Sequence, residues 1–456
     1  MTTPSDPISL LRSRNYLALL LLAAVIGIPV SAVAYFFLAL VSKLQAWVFT
    51  DLPKAVGFES EPLWWPLLPL LLAGVLVSLA IRHLPGRGGQ SPADGFKAGE
   101  GPPPLTALPG ILLAATATLG LGAVLGPEGP VFALGAGLGV LAIRLLRPDA
   151  PASSQSVVGA AGSFAAASTL LGSPLTGAFL LMEISGLGGA MLGLVLVPGL
   201  LAAGIGSLIF TGLDAWTGLG TFSLTIPDLP PAGNPTGAGF LWAVAIGVMA
   251  VPLGTAIRWL GLLLRAHVER RLLLVTPVVA LAIAGLAIAY AAATGKHSSD
   301  VLFSGQSGLG PLIADHDSYA VGTLLLLIAC KGLAYGASLS AFRGGPTFPA
   351  MFLGAAGGIA LSHLPGLPLI AGVAMGIGAM TVVILRLPLT SVLLPTLLLG
   401  TDGLAVMPLV IVAVTVAYVA SARFAPTPAH DSRSESSGVG DAQPLATGDR
   451  GDARRP

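Results

Sequence analysis

Charge is what this chain most lacks. Asp, Glu, Lys and Arg make up 9% of its 456 residues, roughly a third of the usual share in a soluble domain, while 54% are hydrophobic and the mean hydropathy is +0.87. A water-soluble globule is thereby excluded, and a polytopic membrane protein is expected. The formal net charge is +1 and no basic tract occurs, so nothing points to a nucleic-acid partner. The single cysteine, Cys330, excludes an intrachain disulfide and reads as a small buried hydrophobe in an apolar run. The six histidines, among them His83, His267, His297, His316 and His363, fall mostly at segment ends or in loops. Zinc-ligand spacing, an ATP phosphate loop and a nucleophile–His–Asp arrangement are all missing, so neither an enzyme nor a bound cofactor or metal is expected.

What is plentiful is glycine (60) and proline (37). Small residues let helices approach closely in a bilayer, and helix breaks there are tolerated only where protein or a watery cavity covers them. The clusters Gly120-Leu121-Gly122 and Gly135-Ala136-Gly137-Leu138-Gly139 superficially suggest a nucleotide loop. They lie in apolar helical surroundings without the strand–turn–helix context, and read as helix-packing positions.

The apolar run from Tyr16 to Val41 is too long for a signal-peptide core and reads as an uncleaved first span, with Arg12 and Arg14 favouring a cytoplasmic N-terminus. A second span is expected near 66–81, followed by a Gly/Pro-rich stretch that reads either as a connecting loop or as a broken helix lining a cavity. Apolar segments near 105–125, 130–146, 157–171, 174–184 and 189–212 follow, many of them shorter than the roughly 20 residues a crossing needs. Tilted, paired or re-entrant helices are therefore expected. The domain plan is a cytoplasmic segment 1–14, a first membrane repeat 15–212, a connection 213–236, a second repeat 237–424 and a disordered tail 425–456.

The halves resemble one another. A shift of 219 residues carries Gly126, Pro130, Leu134, Gly135, Ala136 and Gly139 onto Gly345, Pro349, Leu353, Gly354, Ala355 and Gly358. A shift of 214 carries Pro174-Leu175-Thr176 onto Pro388-Leu389-Thr390. Paired Gly/Pro interruptions in two halves point to the substrate site of a repeat-built transporter.

One carboxylate sits in such a break, in Gly126-Pro127-Glu128-Gly129-Pro130. An acid at membrane depth costs several kcal/mol in the worst case and marks an ion or proton route. Pro130 and Pro349 look like early-helix prolines, so two helix N-termini could converge there and offer N–H donors and partial positive charge to an anion. Beside this gating reading stands the plainer one, a capping carboxylate or one paired with Arg343 or Lys331.

Three stretches in order, Gly126–Pro130, then Gly172-Ser173-Pro174-Leu175-Thr176-Gly177 leading to Met182-Glu183-Ile184, then Gly344-Gly345-Pro346-Thr347-Phe348-Pro349, resemble the signatures of the CLC family of chloride channels and chloride/proton antiporters. The resemblance covers about 15–424. It implies an all-α membrane protein of tilted and broken helices in two inverted repeats, assembled as a homodimer in the cell membrane with one anion path per subunit. It implies Glu128 as the gate, and Gly129, Thr347, Phe348 and Tyr418 as anion-site residues. Gly88-Gly89-Gln90-Ser91-Pro92 is the local match to the family's GSGIP signature; the serine falls on Gly89, with Gln90 or Ser91 as substitutes. Tyr418 also reads as an interfacial aromatic.

The departures carry weight as well. Pro127 replaces the family's basic residue beside the gate, and Pro346 removes one backbone donor. Where the antiporters often carry an internal proton-transfer glutamate this chain has Ile184, one residue after Glu183. Glu183 itself reads as a structural carboxylate or as part of a proton route from Glu128. Lys331 and Arg343 either snorkel, pair with an acid or raise the local potential for anions. The first expectation is passive conduction of chloride or a similar small anion, the alternative chloride/proton antiport. No regulatory nucleotide-binding module is expected after the last helix.

Overall fold

The computed structural model describes residues 13–96, 101–186, 189–224, 226 and 231–424. Most of the expected N-terminal segment and the whole expected tail 425–456 lie outside them. Among the described residues every named element is helical, and the one β contact is an isolated antiparallel bridge between Gly126 and Gly345.

Leaving short turns aside, the first half runs α1 (Arg14–Ala46), α2 (Leu67–His83), α3 (Leu108–Gly120), α4 (Glu128–Leu146), α5 (Ala152–Ala166), α6 (Pro174–Ser185) and α7 (Gly189–Thr217). The second runs α8 (Gly237–Arg270), α9 (Leu272–Thr294), α10 (Val321–Ala341), α11 (Thr347–Ser362), α12 (Leu369–Leu385), α13 (Pro388–Leu398) and α14 (Gly400–Ala422). Among the described residues seven stretches are long and apolar enough to cross a membrane, and of the other seven helices α2, α3, α6, α11, α12 and α13 are shorter apolar ones. The segments expected near 66–81, 105–125, 130–146, 157–171, 174–184 and 189–212 correspond to α2 through α7, each displaced by at most about five residues at an end. The expected connection 213–236 is shorter, because α7 runs on to Thr217.

Packing repeats with the sequence. α4 packs on α5 as α11 does on α12, α1 on α7 as α8 on α14, and α5 on α7 as α12 on α14. Equivalent elements also meet each other: α2 packs on α9 and α6 on α13. An antiparallel bridge between Gly126 and its counterpart Gly345 is what a two-fold relation between the halves produces. The halves are inverted across the membrane. Asp94, just beyond the end of α2, bonds Arg265 near the end of α8, so α8 finishes on the face where α1 starts.

The matched glycines have a physical reason. A Cβ on Gly135 or Gly139 would fall less than 3.0 Å from the carbonyl oxygen of Gly162 or Val158 on α5. A Cβ on Gly354 or Gly358 would do the same against Gly376 or Gly372 on α12. Backbone-to-backbone approach at both crossings leaves no room for a side chain. The N-termini of α4 and α11, at Glu128 and Thr347, are buried in protein.

Candidate functional site

Those two N-termini meet head to head. Gly126 N–H donates to Gly345 O at 2.7 Å and Gly345 N–H to Gly126 O at 2.6 Å. Each bridge residue is followed by a proline and then by the first residue of a helix, Glu128 or Thr347. The first turn of a helix leaves N–H groups without intrahelical partners. Glu128 reaches across the bridge and takes one of them: its Oε1 accepts from the Thr347 N–H. The side chains of both residues are fully buried.

The pair is nonetheless incompletely bonded. Glu128 Oε2 and Thr347 Oγ1 are buried and have no hydrogen-bond partner. Buried polar groups are seldom left so, and here two belong to residues joined by a hydrogen bond. Glycine makes the space. A Cβ on Gly345 would overlap the Glu128 carboxyl, and one on Gly126 would overlap Oε2 and lie 2.8 Å from the Phe348 ring. Gly129 faces the Gly344 carbonyl, with its hypothetical Cβ 3.2 Å from that oxygen.

Tyr335 on α10 is a neighbour that no sequence signal singled out. It is fully buried, and its hydroxyl donates to Pro346 O at 2.6 Å, beside the start of α11. Ser338, one turn on, accepts from the Val124 N–H at 3.0 Å and so fixes the approach to Gly126. "LAYGASLS" reads as an ordinary small-residue helix, and the partners of both hydroxyls are backbone atoms that a sequence does not label.

The two cations considered as partners for Glu128 are engaged elsewhere. Lys331, fully buried, sends Nζ to the carbonyls of Asp300, Val301, Leu302 and Phe303 at 3.0–3.3 Å, with the Phe352 ring 4.4 Å away. Arg343 donates to the carbonyls of Arg87 and Phe342. The loop that holds Lys331 borders a cavity of 540 Å³, whose lining includes Phe303, Ser42, Gln45, Gln306 and Pro127, next to Glu128 in the chain. On this face burial raises the Asp300 carboxyl above its ordinary range, while hydroxyl donation from Tyr290 and Tyr319 opposes the shift. Burial also raises Glu61, which accepts from Ser298 Oγ at 2.8 Å.

The remaining candidates are dispersed. Glu183 accepts from the N–H groups of Leu389 and Thr390 at 2.9 and 2.8 Å and from Thr390 Oγ1 at 2.6 Å, which caps the start of α13. Ile184 is partly buried against the main core. Gly89, Gln90 and Ser91 lie in the loop after α2; Gly89 has a φ of +95°, Gln90 is exposed, and Ser91 Oγ is buried with no partner. Tyr418 lies on α14 with 41% of its surface exposed, and none of the contacts around Glu128 involves it.

Inverted repeats with broken helices converging on a buried acid are the architecture of membrane transport proteins. Residues 73–422 match the family model described as voltage gated chloride channel, and the chain belongs to that family, the CLC family. Among curated proteins it is similar to YfeO, an ion-transport protein by name, of Escherichia coli O1:K1 / APEC and of O45:K1 strain S88, with 29% identity over 82% of this chain and 86% of each relative. Among solved structures it resembles a slow cyanobacterial Cl⁻/H⁺ antiporter at 19% identity and TM-score 0.69, covering 89% of this chain and 94% of the other. A CLC-type fluoride/proton antiporter matches at 21% identity and TM-score 0.67, covering 89% and 96%.

Proposed function

We propose that this protein carries chloride or a similarly small anion across the cell membrane, with the Glu128 carboxylate as the gate. The observation that carries this reading is the carboxylate oxygen seated on the Thr347 N–H at the start of α11. A free anion needs the same donor and the same partial positive charge. While ionised, Glu128 fills that place. When it is protonated or displaced, the place opens and Thr347 Oγ1, now without a partner, becomes available to the ion. Weak neutral donors suit conduction, because binding must be loose enough for release. Gly129 and Phe348 border this place, with Ser91 and its loop on the approach. Assembly as a homodimer, with one such path in each copy, completes the reading.

Passive conduction is the first form of the proposal. An inward proton relay through Glu183 would need a carboxylate free to exchange its proton, and Glu183 is committed to the α13 N-terminus, while Ile184 has nothing to relay with. Coupled exchange of anion for proton is the second form. Glu128 is itself a protonatable gate, and the similar solved structures include proton-coupled antiporters of chloride and fluoride.

Purified protein in liposomes, with anion flux and proton movement recorded together, separates the two. Chloride flux without uphill proton movement is expected. Proton pumping in fixed ratio to a chloride gradient would replace the first form by the second. Absence of anion flux in the wild type, in Glu128→Gln and in Glu128→Ala would defeat both.

A further inference from the structure

The Thr347 N–H on which the Glu128 carboxylate is seated belongs to the same peptide unit as the Pro346 carbonyl. A trans peptide is planar, with its C=O and N–H pointing in opposite directions. Whatever holds the oxygen therefore also fixes the line along which the hydrogen points. That oxygen is held by Tyr335, whose fully buried hydroxyl donates to it at 2.6 Å, toward the short end for such bonds. One chain of hydrogen bonds thus runs through a single peptide, from the Tyr335 hydroxyl to Pro346 O and from the Thr347 N–H to Glu128 Oε1. Bonds linked in this way polarise one another in a low-dielectric interior, on the order of 10–30% per bond. Proline fixes its own φ but not the ψ that turns the following peptide, so the Tyr335 bond restrains what the ring leaves free.

The first half is built differently. The shift of 219 residues sets Pro127 against Pro346 and Thr116 against Tyr335. Pro127 O accepts from the Val131 N–H of its own helix at 3.0 Å, and Thr116 lines a separate apolar cavity with Trp47, Trp65 and Leu113. The hydroxyl bond belongs to the half that supplies the donor, not to the repeat as such. Ser338, three residues along α10 from Tyr335, takes the Val124 N–H at 3.0 Å, so this helix grips the approach to the bridge from both halves. The cations on the surrounding elements act elsewhere: Lys331 on the carbonyls of 300–303, Arg343 on those of Arg87 and Phe342, and Arg258 of α8 on Val383 O at 3.3 Å.

We propose that Tyr335 is a positioning residue for the gate: its hydroxyl sets the direction and strength of the Thr347 N–H, and so how tightly the start of α11 holds either the Glu128 carboxylate or a free anion. It is not itself an anion ligand, because its single proton is given to Pro346 O. The inference rests on the transport reading above and adds to it the group that tunes the shared donor.

The test measures anion flux in liposomes over a pH series and a chloride series, for the wild type, Tyr335→Phe, Glu128→Gln and the double variant. Phenylalanine keeps the ring and removes only the hydroxyl. With a weaker donor the ionised carboxylate is less stabilised, so the gate takes up its proton at higher pH. Tyr335→Phe should therefore raise the pH midpoint of flux by about 0.3–0.5, a two- to threefold change in proton concentration, the cooperative share of one charge-assisted bond. In Glu128→Gln no carboxylate titrates, and adding Tyr335→Phe should raise the half-saturating chloride concentration about two- to threefold, since the anion uses the same donor. With 3-fluorotyrosine in place of Tyr335, a more acidic and stronger donor, both quantities should move the other way; this replacement carries the test if Tyr335→Phe does not fold. Variants that fold, melt lower and keep the wild-type midpoint and half-saturation would show Tyr335 to be a packing residue and would overturn the proposal. A wild type that moves no anion defeats the transport reading, and the tuning is then read from the Glu128 carboxyl itself by carbon-13 NMR of labelled glutamate, assigned against Glu128→Gln. A titration midpoint raised in Tyr335→Phe supports the positioning role, and an unchanged one overturns it.

Discussion

Helices α4 and α11 hold equivalent places in the two repeats, yet one begins with Glu128 and the other with Thr347. The same contrast recurs at α6 and α13. Glu183 near the end of α6 has Leu397 as its counterpart in α13, and its carboxylate caps the α13 N-terminus, whereas the α6 N-terminus receives only Ser173. It recurs again in the loops, where Glu61 takes the Ser298 hydroxyl, and on the face where α1 starts, where Asp94 takes Arg265. Acids of the first half meet donors of the second. The repeats thus share backbone geometry while dividing the chemistry, and the seam between them is held by charge-assisted hydrogen bonds. Among these four described acids, Glu128 is the one with a buried carboxylate oxygen that has no partner.

Breaking the contrast at that acid should have the largest effect. In Glu128→Gln the amide has no ionised form, so anion flux should lose its pH dependence and any proton coupling while the protein remains folded; paired flux and proton recordings over a pH series check this. A variant with wild-type pH dependence would show that the gate lies elsewhere. Next come the helix crossings, where the halves are alike. Gly135→Val and Gly354→Val should each destabilise by about 3 kcal/mol through overpacking, and by similar amounts, as read by thermal unfolding in detergent. Unequal losses would break the symmetry argument.

Gly345→Ala puts a methyl where the Glu128 carboxyl lies. About 1–3 kcal/mol of overpacking is expected, together with flux that resembles Glu128→Gln because the acid is pushed off α11. Glu183→Gln should cost about 1 kcal/mol, as a lost helix cap does, and leave the pH dependence of flux intact. If that dependence vanished instead, Glu183 would belong to the proton route after all. The smallest effect concerns Glu61. Its carboxyl is raised above its unfolded range, so the folded state holds the proton more tightly, and the associated stability is present at low pH and lost as pH rises through the folded value. Glu61→Gln should therefore gain slightly on the wild type as melting is followed from pH 4 to pH 7, with the two converging at the acid end.

The sequence displayed the frame of this site well. Helix breaks in a bilayer need glycine and proline, so Gly126–Pro130 and Gly344–Pro349 stood out, and the shift of 219 residues already paired their bridge glycines. Glu128 was visible because a lone acid in apolar surroundings is rare. The hydrogen bond from Thr347 was approachable through the same alignment. Tyr335 and Lys331 were not, since a hydroxyl or ammonium whose partners are main-chain carbonyls leaves no complementary side chain to find.

Lys331 has a consequence of a different kind. Four carbonyl oxygens converge on its ammonium nitrogen from a single short loop, backed by an aromatic face, in the manner of a host ring around a guest ion. The chain carries that guest on a tether, so the seat is filled at every salt concentration and is closed to sodium or potassium from the medium. A protein proposed to pass anions therefore fills this seat with a side chain of its own, anchored beside the cavity, where the occupant is neither washed out nor exchanged.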